Sequence, residues 1–224
     1  MNRISITPIA RIHNSFDSKF AIPRQSGLLD EMQSEIVFEK DYRIDEALRG
    51  IEGFSHLWLI WGFSKSPEGK WSPTVRPPKL GGNKRMGVFA TRSPFRPNSL
   101  GLSSVKLLEV KKSKEKGMYL VVEGADLLNG TPIYDIKPYL PFTDIHPDAV
   151  GGFTESIEKK ELEVIVPKEF EYYIQRNPEL INILKQDPRP SYHNDSERIY
   201  GFSFGGKEIK FNVCGEILTV VEIV

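Results

Sequence analysis

The chain has 224 residues, and 30 Lys and Arg balance 30 Asp and Glu, so its formal net charge is zero. The length suits one large domain or a large one with a small companion, and the neutral balance excludes a chain that declares itself a nucleic-acid binder by bulk charge. With 39% hydrophobic and 27% charged residues it reads as soluble and globular, and its only cysteine, Cys214, excludes an internal disulfide framework and a cysteine-based zinc site.

The first residues, MNRISITPIARIH, lack the apolar core of a signal peptide, and a cytoplasmic protein is expected. Residues 4–12 read as a strand. A Pro/Arg/Gly cluster follows at 20–27, where Pro23 stiffens a loop that offers donors from Arg24 and Gln25. Further strands are expected at 35–38, 54–63, 87–91, 101–110, 118–125, 133–138 and 162–166. These runs are short, β-branched or aromatic, and separated by Gly, Pro, Asn and Asp. A single helix suits 44–48. The longest apolar run, 57–63, is far too short to span a bilayer, so no membrane partner is expected. His56 beside it reads more readily as a core residue than as a catalyst. The other histidines, His13, His146 and His193, show no metal-ligand spacing with it, and no metal is expected.

The Pro-rich stretch around Trp71, Pro73, Arg76, Pro77 and Lys79 suits a lid, an RNA-facing loop or a stiff connection. Residues 85–103, RMGVFATRSPFRPNSLGLS, then place Arg85, Arg92 and Arg96 among prolines and glycines between two apolar runs. Arginine offers a planar fork for carboxylate or phosphate, and glycine admits a close backbone approach. A loop that holds an anionic or polar ligand fits this mixture; so does a surface hairpin with solvated arginines. Residues 124–139, GADLLNGTPIYDIKPY, run from a strand through Asp126 to a turn at Asn129-Gly130, a pair that tolerates positive φ. Two such polar tips suit a pocket at the rim of a sheet or barrel, or an ordinary hairpin.

After residue 166 the pattern turns helical over 168–185, interrupted at Asn177-Pro178, which predicts two short helices. Residues 199–204, 207–213 and 216–224 read as a three-stranded meander. Between the helices and the meander, Asp187-Pro188-Arg189-Pro190-Ser191-Tyr192 is loosely similar to the Asp-Pro-Pro-Tyr loop of amino-group methyltransferases; a helix stop followed by a rigid linker accounts for it as well. The expected architecture is mainly β: a single closed or nearly closed barrel over 1–158, without a Rossmann fold, and a small α+β domain over 159–224. No G-x-G-x-x-G, Walker, H-E-x-x-H or G-x-S-x-G motif is present.

Five segments carry a resemblance to a known family. They are PRQSG (23–27), GFSHLWLIW (53–61), RPPKLGGNKRMGVFATRSPFRPNSLGLS (76–103), DLLNGTPIYDIKPYLPF (126–142) and DPRPSY (187–192). Together they resemble the TrmO family, also called TsaA-like or YaeB-like, over nearly the whole chain. The resemblance implies a homodimeric enzyme that uses S-adenosyl-L-methionine to methylate N6 of threonylcarbamoyl-adenosine at position 37, in the anticodon loop of threonine tRNA. It implies cofactor contacts from Pro23, Arg24, Gln25, Ser64, Lys65, Arg92, Leu102, Gly124, Ala125 and Asp126. Some relatives carry His-Gln where this chain has Ser64-Lys65. It further implies catalytic roles for Asp187 and Tyr192 and tRNA contacts from Arg189; Arg96 of the arginine loop and Arg76 of the Pro-rich stretch are expected to bind the tRNA too. A non-catalytic RNA-binding barrel and a different small-molecule enzyme using the same pocket are the competing readings.

Overall fold

The computed structural model describes residues 4–18, 22–23, 25–27, 32–64, 71–77, 80, 84–156, 161–189 and 195–224. The chain divides into two compact units, one of Met1–Asn14, Arg24–Ser72 and Pro94–His146, the other of Ser15–Pro23, Pro73–Ser93 and Pro147–Val224.

In the first unit six strands close on themselves in the order β1-β2-β7-β6-β3-β8. They are β1 (Ala10–His13), β2 (Gln33–Phe38), β3 (His56–Gly62), β6 (Leu100–Ser113), β7 (Gly117–Glu123) and β8 (Pro132–Pro138). Every pairing in the ring is antiparallel. Alternate residues of each strand point inward. Ile12, Ile36, Leu57, Leu59, Leu120 and Ile133 meet inside with no exposed surface. Closure leaves no long strand edge and fills the interior with side chains.

In the second unit a four-stranded sheet runs β10-β11-β12-β9. Its strands are β9 (Glu163–Ile165), β10 (Tyr200–Phe204), β11 (Lys207–Cys214) and β12 (Ile217–Ile223). After the single-turn helix α1 (Pro141–Asp144) of the first unit, helices α2 (Lys168–Arg176) and α3 (Glu179–Lys185) of the second precede β10, and α3 buries Leu180, Ile183 and Leu184. Phe16 belongs to this unit: its ring meets Phe204 edge-on at 6.2 Å, and both side chains are fully buried. Ser15 O accepts a hydrogen bond from Gly205 N at 3.1 Å. A two-strand ribbon pairs β4 (Thr74–Val75) with β5 (Met86–Gly87).

Several expectations are corrected. Residues 4–9 are not a strand; pairing with β2 starts at Ala10, and Ile4 and Ile6 are exposed. Their alternation has no sheet partner to bury one face. Residues 87–91 give only the short β5 and a 3-10 turn, Val88–Ala90, whereas the helix expected at 44–48 is present as a 3-10 helix, Asp45–Leu48. The strands expected at 101–110 and 118–125 extend into one hairpin that turns at 114–116, where Gly117 takes φ 67°. The Asn129-Gly130 turn closes no hairpin, because β7 pairs with β2 and β6 whereas β8 pairs with β1 and β3. Only Gly130 of that pair has positive φ, so the turn needs one glycine, as a type II turn does. The C-terminal meander gains a fourth strand, since β9 adds parallel to β12.

Candidate functional site

The register brings four strand ends to one rim of the ring. Gln33 at the start of β2 faces Glu123 at the end of β7, and Leu100 at the start of β6 faces Gly62 at the end of β3. The connections at this rim carry Gln25, Ser64 and the run Gly124, Ala125 and Asp126, and Leu102 lies near the start of β6.

Backbone hydrogen bonds hold them. Gly27 N donates to Gly124 O at 3.0 Å, and Gly124 N donates to Met32 O at 3.3 Å. Gly124 has φ 80°, a conformation that favours glycine, and a Cβ there would press on Gly27 N at 3.3 Å. The turn at 25–27 therefore lies against the 124–126 segment. Phe63 N donates to Ser99 O at 3.2 Å, which ties the segment before Ser64 to the lead-in of β6. Asn14 secures the far side of the loop, its Nδ2 donating to Leu127 O at 2.9 Å.

The polar centre of the rim is a chain of three side chains. Trp61 Nε1 donates to Ser103 Oγ at 2.9 Å, and Ser103 Oγ donates to Asp126 Oδ1 at 2.5 Å. Gly101 makes room for the indole, since a Cβ there would fall 2.2 Å from the Trp61 ring. Phe63 packs on the same ring with centroids 4.4 Å apart. Beside this chain the surface is apolar: Leu102 is 56% exposed, whereas Ser103 next to it is 1% exposed. Trp61 and Ser103 were not among the expected site residues. The inversion of inside and outside on the strand LGLSSV, leucine out and serine in, is the signal that points to them.

The other expected site residues divide between the two units or fall outside the described residues. Arg96 belongs to the first unit, half-buried after Pro94, whose carbonyl accepts its backbone N–H at 2.8 Å. Pro23, Arg76, Arg92, Asp187 and Arg189 belong to the second unit. Pro23 is buried, and Arg76 and Arg92 are exposed. Arg24, Lys65 and Tyr192 lie outside the described residues. In the Asp187-Pro188-Arg189 stop, the guanidinium grips the carboxylate through two hydrogen bonds, Nε to Oδ1 at 2.8 Å and Nη2 to Oδ2 at 2.9 Å. That contact raises the pKa of Arg189 above its ordinary value, against its partial desolvation. Asp187 has φ 53°, and among the described residues no other non-glycine residue has positive φ. Among the described residues no group of three His, Cys, Asp or Glu side chains is placed to hold a metal ion, and no helix is long and apolar enough to cross a membrane.

Comparison with known proteins places both parts of the chain in one family. Residues 11–145 match the tRNA-methyltransferase O N-terminal domain, and residues 159–224 match the TrmO C-terminal domain. The chain is 43% identical over 205 residues to the tRNA (adenine(37)-N6)-methyltransferase of Escherichia coli (strain K12), covering 88% of this chain and 87% of that one. It is 45% identical over 163 residues to the enzyme of the same name from Eikenella corrodens, covering 71% and 91%. A crystal structure of TrmO from Pseudomonas aeruginosa superposes over the full length of both chains with a TM-score of 0.78 at 30% identity.

Proposed function

The chain belongs to the TrmO family, and on that ground we propose that it is a tRNA methyltransferase that transfers a methyl group from S-adenosylmethionine to N6 of adenine 37. The observation that carries this reading is the identity of 43% with the Escherichia coli enzyme, which extends across 88% of the chain. The finer reading is that the acceptor is threonylcarbamoyl-adenosine of threonine tRNA, that the ring is the cofactor barrel, with the domains divided near residues 155–162, and that the enzyme works as a cytoplasmic homodimer. These rest on the family resemblance.

The chemistry of the rim suits the cofactor. S-adenosylmethionine supplies an electrophilic methyl group on a sulfonium, so this chain's residues have chiefly to bind, orient and exclude water. Asp126 is a carboxylate acceptor for hydroxyl or ammonium donors, and exposed Leu102 offers an apolar surface to a base or a methylene chain. Gln25, Ser64, Gly124 and Ala125 keep the cofactor contacts that the resemblance assigns, through backbone and amide groups. Arg24, Lys65, Pro23 and Arg92 keep the cofactor role that the resemblance assigns, Arg92 as partner of the methionyl carboxylate. Asp187 and Tyr192 are assigned to the acceptor amine and its base, and Arg189, Arg96 and Arg76 to the RNA. An anticodon-loop base can be splayed out without opening a duplex.

The test is methyl transfer from labelled S-adenosylmethionine to threonine tRNA with or without the threonylcarbamoyl group. Label at adenosine 37 of the modified tRNA alone supports both reaction and acceptor. Label in neither, with cofactor binding retained, overturns the acceptor.

A further inference from the structure

We propose that Ser103 is a positioning residue, set between Trp61 and Asp126 in a one-way hydrogen-bond chain that presents the Asp126 carboxylate to donor groups of the cofactor. This inference rests on the cofactor site proposed above.

The direction of the chain follows from its members. An indole nitrogen only donates, so at 2.9 Å from Trp61 Nε1 the Ser103 oxygen must accept. A hydroxyl that accepts there keeps its own proton for a second partner, and at 2.5 Å that partner is Asp126 Oδ1. Trp61 is 7% and Ser103 1% exposed, so water does not compete for either group. The indole reaches Ser103 across Gly101, where any Cβ would strike the ring. A hydroxyl turned into the ring's interior costs desolvation unless it is satisfied. Here it is satisfied on both sides, and its far side is a carboxylate on the rim. The two oxygens of a carboxylate can accept from several donors at once, and with its orientation set before binding less freedom is lost on association. The matching cofactor donors are the ribose hydroxyls and the α-ammonium group.

The test is calorimetric binding of S-adenosylmethionine and of 5′-methylthioadenosine, which lacks the amino-acid part, to the full chain. The variants are Ser103→Ala, Ser103→Thr, Trp61→Phe, Asp126→Asn and the Ser103→Ala/Asp126→Asn double. Ser103→Ala is expected to weaken S-adenosylmethionine binding about tenfold, as loss of a hydrogen bond to a charged group does. Ser103→Thr, which keeps the hydroxyl, is expected to recover most of that loss, and the double variant to bind no more weakly than Asp126→Asn alone. Equal weakening of methylthioadenosine assigns the acceptor to the ribose; weakening confined to S-adenosylmethionine assigns it to the ammonium. A Ser103→Ala affinity within twofold of the wild type, or additive losses in the double variant, overturns the proposal. Should Ser103→Ala fail to fold, Trp61→Phe decides, since it releases the hydroxyl while keeping it, and unchanged affinity there overturns the chain. A wild-type protein that binds neither ligand overturns the cofactor site itself, whereas binding by wild type with insensitive variants overturns only the role of Ser103.

Discussion

The guanidinium of Arg189 grips the carboxylate of Asp187, two residues earlier, through a paired fork at 2.8 and 2.9 Å. Pro188 between them stiffens the stop, and Asp187 adopts φ 53°, a conformation that aspartate tolerates better than most residues. The fork aims a carboxylate that the proposed reaction assigns to the acceptor amine. Lysine offers a point charge in place of the fork. Arg189→Lys is therefore expected to keep cofactor affinity and lose most tRNA methylation, read as single-turnover transfer beside a calorimetric titration. Wild-type transfer by Arg189→Lys means that the fork has no part in the reaction.

Arg92→Ala is expected to weaken S-adenosylmethionine binding by about tenfold or more, the loss of a charge-assisted pair with a carboxylate. Calorimetry checks this, and unchanged affinity removes Arg92 from the cofactor site.

Gly101→Ala puts a Cβ 2.2 Å from the Trp61 ring, so the indole must move. Overpacking of this kind costs about 1–3 kcal/mol. At about 2–4 °C per kcal/mol for a chain of this size, thermal melting is expected to fall by several degrees. A melting temperature equal to wild type would show that the indole has room to shift.

Phe16→Ala empties a site walled by Phe204, and both rings are fully buried. A cost of about 3–5 kcal/mol is expected. Denaturant unfolding followed by amide exchange locates it: protection is expected to drop at β10 and β11, and protection there equal to wild type would place Phe16 outside the packing of that sheet.

Among the described residues Asp144 contributes to the acid side of the stability profile. The Asp144 carboxylate accepts hydrogen bonds from Leu140 N and Trp58 Nε1, both at 2.9 Å, and these hold its pKa below the ordinary aspartate value of 3.8. A carboxylate with a lowered folded pKa contributes stability above its unfolded pKa and loses it as pH falls through the folded value. The contribution is thus present at neutral pH and fades below about pH 3.8. Asp144→Asn is expected to flatten the pH dependence of melting in that range. Parallel profiles for variant and wild type would remove Asp144 from the acid response.

Much of this molecule was legible in its residues. Strands β2, β3, β6, β7 and β8 follow from β-branched and aromatic runs cut by turn residues, and the break at Asn177-Pro178 divides α2 from α3 where an Asn-Pro pair ends one helix and starts another. The family was legible too, because the arginine loop and the DPRPSY stop are local strings that need no partner to be read. What only the tertiary structure decided depends on residues distant in the chain. Phe16 packs with a strand near the C-terminus, β9 joins the sheet of β12 in parallel, and Asn129-Gly130 makes a loop turn where a hairpin was expected. Each is a pairing choice, and local propensity carries no information about which partner lies alongside. The same holds for Trp61, Ser103 and Asp126. Their residue types were visible, but the hydrogen bonds between them exist only because the antiparallel register of β3 on β6, and the ring that β7 shares with them, carry three distant positions to one rim.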